Sequence, residues 1–165
     1  MTGRDPLQFY LDKSSPEAWK AVTRLSKAVR DDARAAGLSD QLVELVSLRV
    51  SQLNGCAYCL NVHTRNAVKA GLGPQRLGAL SAWWEAENLY TEQERAALQL
   101  AEQVTRIHDI DSVMAAQLLA SNALDDAQYA AVQWVAMLMN LTNRVSILSH
   151  HPVRATAETR AAVEE

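Results

Sequence analysis

Four residues capable of thiol chemistry lie within the twenty-residue stretch Glu44–His63, ELVSLRVSQLNGCAYCLNVH. Cys56 and Cys59 are the only cysteines of the chain. Glu44 precedes Cys56 by twelve positions and His63 follows Cys59 by four. At the start of a helix, residues three apart have Cα atoms about 5 Å from one another, within reach of a disulfide. A helix N-terminus presents unpaired amides and a positive dipole end, which favour thiolate, the reactive form of cysteine. His63 shares a helical face with Cys59. A free imidazole titrates near about 6.5 and a free thiol near about 8.5, so His63 suits the role of acceptor for the thiol proton. Glu44 then orients the imidazole or passes protons through water.

A thiolate that attacks a peroxide becomes a sulfenic acid, and a neighbouring thiol condenses with it to a disulfide. Cys59 is assigned as the attacking thiol because His63 is its direct helical neighbour. Cys56 is the partner that closes and later exchanges the disulfide. The reverse assignment stays open, since the residue nearer the helix end is a candidate for the more exposed one. Two other readings of the pair compete. A metal site at Cys56, Cys59 and His63 lacks the four ligands of structural zinc, because the chain has no second Cys-x-x-Cys and no histidine pair at finger spacing. Packing of small residues needs no chemistry at all.

The elements that must position these groups read as all-α. Six glycines, four prolines and no Asn-Gly hairpin between alternating strands leave little strand signal. A helix is expected from Pro16 to about Ala36, ended by Gly37, with Trp19, Val22, Leu25 and Val29 at helical spacing. The next, capped by Ser39 or Asp40, runs to about Leu53 and is apolar on nearly all sides. Its exception is a narrow polar stripe of Glu44, Ser47 and Ser51. Asn54-Gly55 breaks it, and a third helix runs from near Cys56 to Ala70. So short a turn makes the two neighbours, and the Glu44 stripe can face the Cys-His face. One helix is expected after Pro74 through Leu77, Leu80, Trp83 and Trp84. Another starts at the capping-box spacing Thr91 to Glu94. A short helix follows Asp111 or Ser112, and a long last one starts at Asp125 to Gln128. About seven helices result. Residues 1–15 read as an extended arm and the tail after Pro152 as frayed or used in assembly.

Composition bounds the function. The 165 residues suit one domain of ordinary globular make-up, 48% hydrophobic and 21% charged. A net charge of −3 provides no basic footprint for nucleic acid. No signal peptide and no run of 18 apolar residues is present, so no membrane role and a cytoplasmic location are expected. In that compartment a Cys-x-x-Cys is catalytic or metal-binding rather than a permanent staple.

Outside the dithiol stretch, Tyr58 is expected to pack against a neighbouring helix, with lining of the site as the second reading, and Trp83 and Trp84 to serve core or interface. Asn140, Asn143 and Arg144 suit bracing of buried helix ends. His108, His150 and His151 have no evident partner, and the pair before Pro152 reads as surface. Trp134, Met137 and Met139 offer apolar surface for an interface.

The stretch resembles the core motif of the alkylhydroperoxidase D-like group of the carboxymuconolactone decarboxylase superfamily, with Glu44, Cys56, Cys59 and His63 at the motif positions. The similarity extends to Phe9-Tyr10-Leu11, Ser51 through Cys56, Trp83-Trp84, Thr91 with Glu94 through Leu98, and Asn140 with Asn143-Arg144. It implies an all-helical fold and assembly into trimers or hexamers. It also implies a peroxiredoxin-like enzyme of antioxidant defence, an alkylhydroperoxidase or disulfide oxidoreductase that uses a small hydroperoxide and a lipoyl- or thioredoxin-like dithiol reductant without a cofactor. Well-studied hydroperoxidases of the group carry a histidine just before the second cysteine, where this chain has Tyr58. The relay is thereby left to Glu44 and His63. Decarboxylases of the superfamily generally lack the cysteine pair. A non-enzymatic oligomeric sensor that uses the same disulfide as a switch is the alternative.

Overall fold

The computed structural model describes residues 9–107 and 109–164, and these contain no strand. Residues 1–8 of the expected arm and His108 lie outside them. The helices are α1 (Leu11–Ser14), α2 (Pro16–Ala35), α3 (Asp40–Asn54), α4 (Ala57–Lys69), α5 (Pro74–Ala79), α6 (Glu92–Thr105), α7 (Ile110–Ala123), α8 (Asp126–Leu148) and α9 (Ala157–Glu164). Helix α3 packs against α4, α6 and α8, while α2 packs mainly on α8 and α7 mainly on α6.

Two apolar faces make α3 central. Leu42, Val46 and Val50, four apart, join a core shared with Val29 and Ala33 of α2, Leu100 of α6 and Val132, Val135 and Met139 of α8. Leu45 and Leu48 turn to a second core with Ala67 of α4, Leu72, Leu80, Trp83, Tyr90 and Leu98. Another side carries the polar stripe Glu44, Ser47 and Ser51. Ser47 and Ser51 are buried and satisfied by donating back to the carbonyls of Val43 and Ser47, both at 2.8 Å. This is the local solution by which a hydroxyl enters an apolar helix without an orphaned proton.

Caps fix the ends of α3. The Ser39 hydroxyl accepts from the Leu42 amide at 3.1 Å. At the other end Gly55 sits at φ 67, ψ 31, where its amide bonds to Gln52 O and the Cys56 amide to Ser51 O. That left-handed closure satisfies two orphan carbonyls and turns the chain directly into α4. The same pattern ends α2 at Gly37 and α4 at Gly71.

The structure differs from the expected elements in four places. The helix after Pro74 stops at Ala79 and continues as tight 3₁₀ turns over Leu80–Glu85 and Glu87–Leu89, broken at Ala82 (φ −130, ψ 37). The cause is tertiary: the buried Arg49 guanidinium donates to Ser81 O at 3.3 Å, and Trp83 Nε1 donates to Glu102 Oε1 at 2.7 Å. Helix α7 is a full-length helix starting at Ile110 from an Asp109 cap, not a short one. The tail carries α9, and the arm closes in the single turn α1, held by the Leu11 amide donating to the buried Ser149 hydroxyl at 3.0 Å. Met139 belongs to the core, whereas Trp134 and Met137 are half exposed.

Candidate functional site

Cys56 and Cys59 are bridged by a disulfide with Cα atoms 5.3 Å apart. Cys56 is the N-cap of α4, its sulfur accepting from the Cys59 amide at 3.3 Å. Cys59 therefore lies in the first turn of the helix. Both are buried, Cys56 at 1% exposure and Cys59 at 4%.

His63 follows one turn later on the same face and is also buried. Its Nδ1 lies 2.7 Å from Glu44 Oε2 on α3. With Nδ1 held by the carboxylate, Nε2 is the ring nitrogen left for chemistry on the other side of the imidazole. The polar stripe of α3 thus meets the Cys-His face of α4, and the structure brings all four sequence-identified residues onto one helical pair. Glu44 borders a cleft of about 310 Å³ whose wall includes Arg30, Arg34, Asn66 and Lys69. It also borders a small cavity of about 50 Å³ against Ser47 and Met139.

The turn joining the two helices is clamped from α8. Asn54 Nδ2 donates to Asn140 Oδ1 and to Asn143 Oδ1, each at 3.0 Å. Fully buried Asn143 donates in turn to Ser51 Oγ at 3.2 Å, and Arg144 reaches Asn140 Oδ1 at 2.8 Å. Asn140, Asn143 and Arg144 therefore brace a helix end, as their residue types suggest.

Tyr58 and His151 depart from expectation. The Tyr58 ring is partly exposed and stands 5.2 Å from the ring of His151. His151 is no bare surface residue: it stacks on Tyr10 at 5.5 Å and its Nε2 lies 3.2 Å from Asp12 Oδ1. No local signal links His151 to residues 139 positions away, and only the fold joins them. Trp83 is core, while Trp84 is half exposed with the Arg49 guanidinium 5.5 Å from its ring.

Residues 16–103, which include Glu44, Cys56, Cys59 and His63, match the carboxymuconolactone decarboxylase family. The chain belongs to that family. The carboxymuconolactone decarboxylase match spans α2 through most of α6 and so covers both helices of the site. Among curated proteins the chain is similar to the uncharacterized protein YdfG of Bacillus subtilis, strain 168. The two are 32% identical over 133 residues, 81% of this chain and 87% of that one. A crystal structure from Agrobacterium tumefaciens, that of ATU0492, superposes with a TM-score of 0.81 at 30% identity, over 90% of this chain and 99% of that one. ATU0492 is a protein of unknown function with the provisional designation antioxidant defence protein AhpD. This chain is an AhpD-like member of the carboxymuconolactone decarboxylase family with an all-α fold.

Proposed function

We propose that the protein is a thiol-dependent peroxidase that reduces small organic hydroperoxides and is returned to its dithiol form by a lipoyl- or thioredoxin-like carrier. The observation that carries this reading is His63, hydrogen-bonded to Glu44 and one helical turn from Cys59 of the bridged pair. In the reduced protein, His63 takes the proton of Cys59 and the thiolate attacks the distal peroxide oxygen. The O–O bond breaks, sulfur gains that oxygen as a sulfenic acid, and the alkoxide leaves as alcohol with the proton returned by His63. Cys56 then attacks the Cys59 sulfur, the S–O bond breaks, and water departs. The disulfide is the resulting state. Two exchanges with an external dithiol restore both thiols and oxidise the carrier to its own disulfide.

The setting supports homo-oligomers. Trp134, Met137, Leu141 and Leu148 are exposed at helical spacing on one side of α8, an apolar stripe of the kind that associates in water. A trimer or hexamer in the cytoplasm is the assembly we propose. Burial of both sulfurs favours a second reading, a slow redox sensor whose disulfide alters assembly or partner binding.

The test is hydroperoxide consumption with dihydrolipoamide, set beside mass spectrometry of the Cys56–Cys59 bond after one equivalent of oxidant. Peroxidase chemistry predicts consumption that Cys59→Ser abolishes. Disulfide formation without turnover, accompanied by a change in oligomer, would select the sensor. If oxidant produces no disulfide and wild type is as inert as Cys59→Ser, both readings fall.

A further inference from the structure

On the side of α4 toward α1, a cleft of about 480 Å³ opens between three segments distant in sequence: α1, α4 and the chain leaving α8. Three rings line part of it. Tyr10 stacks on His151, and Tyr58 tilts against the same imidazole at 58°. Its charge is lopsided: Lys13, Arg65 and Arg154 face a single carboxylate, Asp12. That carboxylate is already engaged, 3.0 Å from Lys13 Nζ and 3.2 Å from His151 Nε2. Arg65 and Arg154, by contrast, make no ion pair or hydrogen bond among the described residues. Two guanidiniums that are unpaired among the described residues therefore line one concavity of a chain whose net charge is −3.

The chain maintains this arrangement at a conformational cost. His150 is the only non-glycine residue with positive φ among those described, at 49°. It occupies the position that glycine fills at the ends of α2, α3 and α4, closing α8 through His150 N to Ile147 O and His151 N to Ser146 O. A side chain in the left-handed region is disfavoured. The turn sets His151 between Tyr10 and Tyr58, and all three line the cleft.

We propose that this cleft binds an organic carboxylate with a flat apolar body. Arg65 and Arg154 hold the carboxylate through charge-assisted hydrogen bonds, and the body lies along Tyr58 and His151. The cleft is larger than a lone inorganic anion requires and falls in the size range of small-molecule sites. Neither cysteine lines it. The proposal is independent of the redox reading, and its readout is binding alone.

Benzoate is the probe, titrated into the full-length protein and followed by calorimetry and by the ring resonances of Tyr58 and His151. A dissociation constant on the order of 1 mM is expected for a fragment of this size. Arg65→Ala and Arg154→Ala, both at exposed positions, each weaken it roughly tenfold, the loss of one charge-assisted contact. Arg30→Ala, at the separate cleft beside Glu44, leaves it unchanged. Benzyl alcohol, of the same body without the charge, binds at least about tenfold more weakly. The proposal is overturned if benzoate fails to bind, if both arginine variants bind it as wild type does, or if benzyl alcohol matches it. Inorganic phosphate binding as tightly as benzoate overturns it too, because the aromatic rings would then contribute nothing.

Discussion

Asn54 on α3 donates to Asn143 on α8 at 3.0 Å, across 89 positions of sequence, and so ties the turn that carries Cys56 to the longest helix of the molecule. Asn143 is fully buried and also donates to Ser51 Oγ. Asn143→Ala would remove one hydrogen bond each from Asn54 and from buried Ser51, and would leave a void where the amide was. We expect a loss of about 2–3 kcal/mol, measured as a lower denaturation midpoint in urea with an unchanged slope. A stability equal to wild type would mean that the amide network adds nothing.

Glu44 and His63 should separate activity from stability. Under the proposed mechanism His63→Gln lowers hydroperoxide turnover by about 10² or more, the lower range for a general acid–base. Glu44→Gln retains an acceptor for Nδ1–H but loses the charge, so a smaller fall, roughly tenfold, is expected. Steady-state rates beside thermal melts check both. If Glu44→Gln is fully active, the carboxylate is only a spacer.

Buried Arg49 and the partly buried Glu102 form an ion pair at 2.7 Å, and Glu102 also accepts from Trp83 Nε1. Removing one partner strands the other charge, so Arg49→Met and Glu102→Gln are each expected to cost about 3 kcal/mol. Together they strand no charge, and the amide oxygen introduced by Glu102→Gln still offers Trp83 an acceptor. The double variant should therefore lose less than the two singles combined, by about 2 kcal/mol. Chemical denaturation of the four proteins measures that coupling directly.

Tyr90 ties stability to alkaline pH. Burial pushes its phenol above the ordinary range and the Glu94 charge adds to this, against the opposing Arg76 charge. The neutral phenol also donates to Arg76 O at 2.5 Å. The folded state therefore holds this proton more tightly than the unfolded chain. The contribution is complete below the unfolded value of about 10 and is lost as pH rises through the folded one. Tyr90→Phe should cost about 1 kcal/mol at neutral pH through the lost hydrogen bond. It should also flatten the decline in stability above about pH 10, read from denaturant midpoints across that range.

Gly55 isolates a backbone effect. A Cβ built there meets nothing within 4 Å, so the penalty for Gly55→Ala is the left-handed backbone alone, about 1–2 kcal/mol. At Gly71 the added carbon would also meet Gln41 Nε2 at 3.2 Å. Gly71→Ala is therefore expected to be the more destabilising of the two in thermal melts.

The site was legible because it is local. Cys56, Cys59 and His63 are set by one helix, and Glu44 is brought to them by a single turn whose capping residues, Ser39 and Gly55, announce themselves. What was not legible depends on distant partners. The break after Ala79 follows from Arg49 and Glu102 holding Ser81 and Trp83. Helix α7 keeps Ile110, Met114 and Leu118 exposed on one side, which masks the usual contrast between inner and outer faces. His151 found its partners only through a turn at His150 that lacks the glycine by which such turns are recognised.

Cys56 terminates one helix and begins the next: its amide closes α3 and its sulfur caps α4. The same residue is thus a structural joint and a redox group. Protonation, oxidation or release of that sulfur alters the acceptor seen by the Cys59 amide. The backbone at the head of α4 therefore carries a native record of the electron count, readable as the amide proton shift and exchange rate of Cys59 without a label or substrate.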